Sequence, residues 1–419
     1  MSHSFTRLSR RRRRLGSVVA SVAALTSLAA CSSSKTNSGS ATTSPTGSAS
    51  NSATTAGSSL SGTPVVLGNI GNFSNAALGA MPDDQATPKA WVAWANANGG
   101  INGHPVKLVQ IDDGGDPARA VAAAHQMVAD HVLAIVGNTD NGVELGYVNY
   151  LQQNNVPMVG GDDYDSIWET NPNLFPTMAT VSVKGYADIF AAKSSGAKSI
   201  AAAYCQEVAA CLQDVQAQKA AAQTLGVTYT IGPKASFVQP DYTAQCLALA
   251  GAHADAYYFS SGVPGIEHMA LNCQQQGFKG FWILPQPDDT LLKSPGISTM
   301  AVGQDLQLSY FADVPATQTF RQGMSQYAKG VPLQIDSLRI WSSFDVVKQA
   351  LSNVPSEVLT PQAVKDGLYK LNGYTDNGIL PPLTYVQGQG TVISCFEVWG
   401  IKNGKFTLPN GTTMSCEPK

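Results

Sequence analysis

Twice along this chain, short apolar runs alternate with stretches of helical periodicity, and that rhythm constrains the fold more than any single motif. In the first series, 65–70, 106–111, 133–136 and 157–159 read as strands. Residues 86–97 read as a helix with Ala90, Trp91, Trp94 and Ala95 on one face, ended by Gly99-Gly100. Asp116-Pro117 supplies an N-cap and a first-turn proline for a helix to about residue 130, and 143–153 reads as a third helix. The second series has strands at 199–204, 227–231, 256–259 and 281–284, with helices at 208–225, 241–251 and 264–277 between them. Two consecutive βα series imply an α/β protein of two doubly wound lobes, each a parallel sheet covered on both faces. Ligands of such sheets bind outside the carboxyl ends of the strands, so two facing lobes share one cleft.

The amino terminus has a different character. Arg10 to Arg14 form a basic run, and residues 15–30 follow without a charge, ending Leu28-Ala29-Ala30-Cys31. An apolar run this short has the layout of a cleavable signal peptide (1–30), not of a membrane span. Small residues before Cys31 resemble the lipobox of bacterial lipoproteins, which implies lipidation at Cys31 and anchoring to the cell membrane. An ordinary signal peptide is the alternative, and the arginines leave both the general and the twin-arginine export routes open. Residues 31–62 are nearly all Ser, Thr, Gly, Ala and Asn, with Lys35 the one charge, so a disordered leash is expected there.

Removing the leader changes the charge balance. It carries six of the 26 basic residues (Arg7 and Arg10 to Arg14) and no acidic one, leaving 20 basic against 29 acidic residues, a net −9. An acidic body argues against nucleic acid as a partner. Setting Cys31 aside also leaves six cysteines: Cys205, Cys211, Cys246, Cys273, Cys395 and Cys416. Fifteen pairings are open to six cysteines, and sequence proximity favours Cys205–Cys211, Cys246–Cys273 and Cys395–Cys416. No CxxC or Cys/His cluster suggests a metal, and no cofactor is expected.

Residues 91–117 carry a more specific pattern: Trp91, then Asn96-Ala97-Asn98-Gly99-Gly100-Ile101-Asn102-Gly103-His104-Pro105-Val106, then Asp112-Asp113 and Asp116-Pro117. This resembles the type I periplasmic binding proteins, in particular the branched-chain amino-acid-binding branch of ABC-transporter substrate-binding lipoproteins. The resemblance runs from about Thr63 to the end and implies two lobes joined by a three-crossover hinge. By that analogy the crossovers fall near 175–181, 306–311 and 383–390. Lobe 1 is then 63–178 plus 311–385, and lobe 2 is 179–310 plus 386–419. All six paired cysteines would belong to lobe 2. The family also implies a monomer that hands a small solute to an ABC permease and ATPase complex.

Carried onto this chain, the family's solute-binding loops are Asn72, Phe73 and Ser74 after the first strand, Thr139, Asp140 and Asn141 after the third, and Gly161, Asp162, Asp163 and Tyr164 after the fourth. From the second lobe come Tyr204, Ser260, Ser261 and Asp288. The chain departs from the amino-acid-binding pattern, which has a hydroxyl-rich run at 138–141 and a small hydroxyl residue where Asp162-Asp163 stands. Its body has three arginines, Arg119, Arg321 and Arg339, all in helical stretches. Phosphates and dicarboxylates are normally clamped by arginine, so the Asp-rich loops point instead to a solute with an amine or other cationic group. Phe73 and Tyr164 are candidates for its aromatic face.

No catalytic motif stands against this reading: HExxH, GxSxG, the P-loop and GxGxxG are all missing, and the six histidines are scattered. The expectation is a solute receptor rather than an enzyme. A ligand-sensing lipoprotein of the same fold, signalling to a membrane partner, is the alternative.

Overall fold

The computed structural model describes residues 60–75, 80–140, 142–161, 165–207 and 209–418. Among them the chain forms two α/β layers in succession. The first contains β1 (Val65–Gly71), α1 (Pro82–Ala97), β2 (Val106–Asp112), α2 (Pro117–Ala129), β3 (Ile135–Asn138), α3 (Val148–Gln153), β4 (Met158–Gly161), α4 (Ile167–Thr170) and β5 (Leu174–Phe175). The second contains α5 (Val181–Ser194), β6 (Ser199–Cys205), α6 (Ala209–Leu225), β7 (Thr228–Ala235), α7 (Thr243–Ala250), β8 (Ala256–Ser260), α8 (Val263–Gln275), β9 (Phe281–Leu284) and β10 (Met300–Asp305). The chain then returns to the first layer with α9 (Pro315–Tyr327), α10 (Ile335–Ser352), α11 (Pro361–Leu368) and the small hairpin β11 (Asn372–Tyr374) and β12 (Leu383–Thr384). It ends in the second with β13 (Cys395–Lys402), β14 (Lys405–Thr407) and β15 (Ser415–Cys416).

The first sheet has the order β2-β1-β3-β4-β5 and every pairing is parallel. Parallel strands need covering on both faces, and the sequence provides it. Trp91, Phe320, Leu338, Trp341 and Phe344 pack on one face with α1, α9 and α10, while Ala120, Met127, Tyr147 and Leu151 pack on the other. The second sheet runs β7-β6-β8-β9-β10 in parallel and then adds β13 and β14 antiparallel, with β15 on β13. That antiparallel extension was not anticipated. Its Phe396, Val398, Trp399 and Ile401 are buried, so the carboxyl-terminal strands complete the core rather than decorate it.

Local chemistry explains the element boundaries. The Asp116 side chain accepts from the amides of Ala118 and Arg119 at 2.9 Å, as an N-cap should. Helix α1 begins at Pro82, four residues before its expected start, because Asp84 turns back to accept from the Met81 amide at 2.8 Å. At its far end Gly99 and Gly100 have φ of 93° and 67°, and a Cβ on Gly100 would lie 2.0 Å from the His104 carbonyl oxygen. That pair of glycines is required by the turn between α1 and β2. The helix expected at 143–153 instead divides into a 3-10 turn at Val143–Gly146 and the short α3.

Three crossing segments, 176–180, 306–314 and 385–394, join the layers and bind one another. Ala179 N donates to Leu306 O at 2.7 Å and Thr180 N to Ile393 O at 3.0 Å. The Tyr385 hydroxyl donates to Pro176 O at 2.7 Å. The cysteines pair Cys205–Cys211, Cys246–Cys273 and Cys395–Cys416, all within the second layer, as proximity suggested.

Candidate functional site

The loops at the carboxyl ends of the first sheet are tied together by short hydrogen bonds. Asn72 closes its own turn, its Oδ1 accepting from Asn75 N at 3.0 Å and its Nδ2 donating to Asn75 O at 3.1 Å. Phe73 N donates to Asp112 Oδ1 at 2.9 Å, and Ser74 is exposed beside it. Asp112 is held below the usual carboxylate range: burial works against this, but hydrogen bonds from Ser74, Phe73 and Gly114 outweigh it. Arg119 reaches back from α2 to the same place, Nη2 donating to Asp112 O at 2.6 Å. Its backbone sits in a helix as the sequence indicates, yet its guanidinium reaches the end of β2, outside the cavity lining, which backbone position alone did not reveal.

Two predicted residues after β3 behave differently from each other. Thr139 is 4% exposed and its Oγ1 has no hydrogen-bond partner among the described residues, so a free donor sits at the strand end. Asp140 is turned inward instead. Its carboxylate accepts from Asn138 Nδ2 at 2.7 Å and from the Tyr147 hydroxyl, with no exposed surface. Burial, then the neighbouring Glu144, pushes its carboxyl well above the usual range. Asp140 therefore turns its carboxyl into the core instead of toward the mouth, contrary to the sequence expectation. Gly161 packs on the Asn138 backbone, where a Cβ would come within 2.2 Å of the carbonyl oxygen. Asn141, Asp162, Asp163, Tyr164 and the lipidation candidate Cys31 lie outside the described residues.

In the second layer, Tyr204, one residue before the end of β6, stands opposite Ser260, the last residue of β8. The Ser260 hydroxyl donates to Asp214 Oδ2 at 2.7 Å, joining a polar cluster in which Asp214 also takes Tyr258 at 2.6 Å and Lys184 at 3.1 Å. Ser261 Oγ is buried without a partner among the described residues. Asp288 caps the following 3-10 turn, accepting from Thr290 N at 2.8 Å. The exposed Asp289 accepts from the Tyr310 hydroxyl at 2.7 Å.

A cavity of about 210 Å³ opens between the layers at this end. Met81, Leu333, Gln334 and Asp336 line it from the first, and Gln286, Asp288, Asp289 and Tyr310 from the second and its crossing segment. Pro287, Pro332 and Ile335 add apolar wall, and no Lys or Arg is among the lining residues. Asp336 is matched by Arg339 at 3.0 Å, so Asp288 and Asp289 are the acids of the wall without an ion-pair partner among the described residues. Met81, Tyr310 and the 332–336 segment were missed by sequence reasoning, since they precede or leave helices far from any strand end. A larger cavity of about 660 Å³ lies at the opposite, amino-terminal end of the second sheet, beside Asp255, Tyr257 and Phe278. It is a poorer candidate, because doubly wound sheets bind at their carboxyl ends.

Residues 64–405 match the family model of the periplasmic binding proteins. The chain belongs to that family. It is a family of solute binders and not of enzymes, and its members work outside the cytoplasmic membrane. Among the described residues no helix is long and apolar enough to cross a membrane. The chain is 37% identical over 71 residues to the Leu/Ile/Val-binding protein homolog 2 of Brucella abortus, which is 17% of this chain and 19% of that protein. The match therefore spans about a fifth of the curated relative's length. An extracellular ligand-binding receptor from Verminephrobacter eiseniae shares the fold with a TM-score of 0.70 at 16% identity, covering 82% of this chain and 100% of that one. A branched-chain amino acid ABC transporter protein of Thermus thermophilus, solved with bound valine, has a TM-score of 0.68 at 14% identity, covering 83% and 96%.

Proposed function

We propose that this protein is an extracytoplasmic lipoprotein, anchored through Cys31, that captures a small amine-bearing solute of the amino-acid type and delivers it to an ABC importer. Lobe 1 (63–178 plus 311–385) and lobe 2 (179–310 plus 386–419) close on the solute by bending at the three crossing segments. Ligand drives closure only by contacting both lobes, and the cavity between Leu333 and Asp288 offers walls from each.

The observation that carries the solute class is the cavity's charge: Asp288 and Asp289 face it and no cationic side chain lines it. A solute ammonium supplies the missing positive charge. Met81, Leu333 and Pro332 suit an apolar side chain. The Thr139 hydroxyl, without a hydrogen-bond partner among the described residues, is a candidate donor to a solute carboxylate from the loop after β3. Valine in the Thermus protein and the name of the Brucella relative agree with such a zwitterion.

Isothermal titration with L-valine, L-glutamine, a primary alkylamine and succinate tests the reading. Binding of the amines and not of succinate is expected; binding of succinate alone contradicts it.

A further inference from the structure

A buried acid pair stands beside two of the crossing segments: the second starts directly after Asp305, and the third runs into β13, which carries Glu397. Asp305 ends β10, and Glu397 on β13 lies directly opposite it in the antiparallel register. Facing residues of such a pair put their side chains on one side of the sheet, with Cβ atoms about 5 Å apart. Both are 1% exposed. One oxygen of each is well held. Asp305 Oδ1 accepts from Leu306 N at 2.7 Å and from Arg339 Nη2 at 3.0 Å. Glu397 Oε2 accepts from Ser309 N at 2.9 Å and from the Ser309 hydroxyl. The other two oxygens, Asp305 Oδ2 and Glu397 Oε1, are buried and have no partner among the described residues.

Two carboxylates with one orphaned oxygen each, on facing residues, lack a donor that a single proton would supply. We propose that Asp305 and Glu397 share one proton at the hinge, and that Arg339, reaching across from α10, couples this pair to the first layer so that solute capture weakens as pH rises. The inference rests on the solute-capture reading above.

Among the described residues, no cation other than Arg339 pairs with either acid. Arg339 and Asp336 face Asp305 from α10, and Tyr310 with Asp289 stands beyond them on the crossing segment. On α5, Tyr186 packs edge-on against Phe396 and feels the Glu417 charge, while Lys184 is engaged by Asp188 and Asp214. Burial pushes Glu397 up to about 8, with the Ser309 hydrogen bonds opposing it and Asp305 adding to it. Burial likewise raises Asp305 to about 6 against the pull of Arg339. While the proton is present, the pair carries one negative charge beside the Arg339 guanidinium, which Asp336 also shares at 3.0 Å. Loss of the proton leaves a second buried carboxylate that only water can relieve. A wider hinge admits that water, so deprotonation favours the open form and lowers affinity.

The test measures affinity for the tightest-binding amine of the panel from pH 6 to 9, with thermal midpoints, in the wild-type chain and in Glu397→Gln, which keeps the shape of the protonated acid. The ratio of the two cancels titration of the solute. Wild-type affinity should fall at least ~3-fold relative to Glu397→Gln between pH 7 and 9, since one linked proton permits at most about tenfold per pH unit. A constant ratio overturns the proposal. Asp305→Asn provides a second reading: it removes the facing carboxyl and should move the midpoint of the profile to lower pH, and an unmoved midpoint overturns the shared proton. If no panel amine binds, the solute-capture reading fails. The thermal midpoints then still decide the proton, because parallel pH profiles in wild type and Glu397→Gln refute it.

Discussion

Tyr310 on the second crossing segment donates its hydroxyl to Asp289 Oδ1 at 2.7 Å, fastening the hinge to the acidic loop after β9. Burial and then the Asp289 bond push the tyrosine hydroxyl upward, so it stays a donor across the working pH range. Tyr310→Phe frees a wall carboxylate of the cavity. The expected result is a stability loss of about 1 kcal/mol in urea titration, with altered affinity for amines.

Asp288 both caps a 3-10 turn and lines the cavity, and Asp288→Asn separates the roles. The amide oxygen can still accept from Thr290 N, so the thermal midpoint should stay close to wild type. Affinity for an amine should drop roughly tenfold, about 1.4 kcal/mol, through loss of the charge. Titration calorimetry checks the first quantity and thermal melting the second.

Gly160 has a φ of 57°, and a Cβ there would lie 2.0 Å from Ser343 Oγ and 2.4 Å from Thr177 Oγ1. Helix α10 can lie across β4 only because this position is bare. Gly160→Ala should cost roughly 2–4 kcal/mol, through overpacking and a left-handed backbone, read from denaturant unfolding.

Lys184 bridges Asp188 at 2.8 Å and Asp214 at 3.1 Å. Lys184→Met leaves both carboxylates without their cation and should destabilise by about 3 kcal/mol at pH 7. Asp214 is held below its ordinary range: burial opposes this, but Lys184 and then Tyr258 prevail. Its contribution is present above the ordinary carboxylate range and is lost as pH falls through the lowered folded value. The difference between variant and wild type should therefore shrink in acid, which melting curves from pH 7 to 3 would show.

Much of this architecture was legible because periodicity reports burial. The β9 run Phe281–Leu284 is buried at every position, and β1 at all but Val66, so apolar runs marked both strands. Proximity sufficed for the three disulfides because each joins residues 6 to 27 apart in sequence. Composition misled where a polar residue folds inward: Asp140 resembles a mouth acid in sequence, yet Tyr147 and Asn138 draw it into the core. It also could not show reach. Arg339 sits in α10 but its side chain spans to Asp305, and Arg119 extends from α2 to Asp112 at the end of β2. The cavity wall at Met81 and 332–336 precedes helices whose placement depends on contacts far apart in the chain.

Mass spectrometry of small molecules released from the natively purified protein tests the central claim most directly. A solute bearing an amine, present near one equivalent and displaced by Asp288→Asn, is the predicted result. Recovery of a dianion such as a dicarboxylate or a phosphate ester, retained by Asp288→Asn, would contradict it.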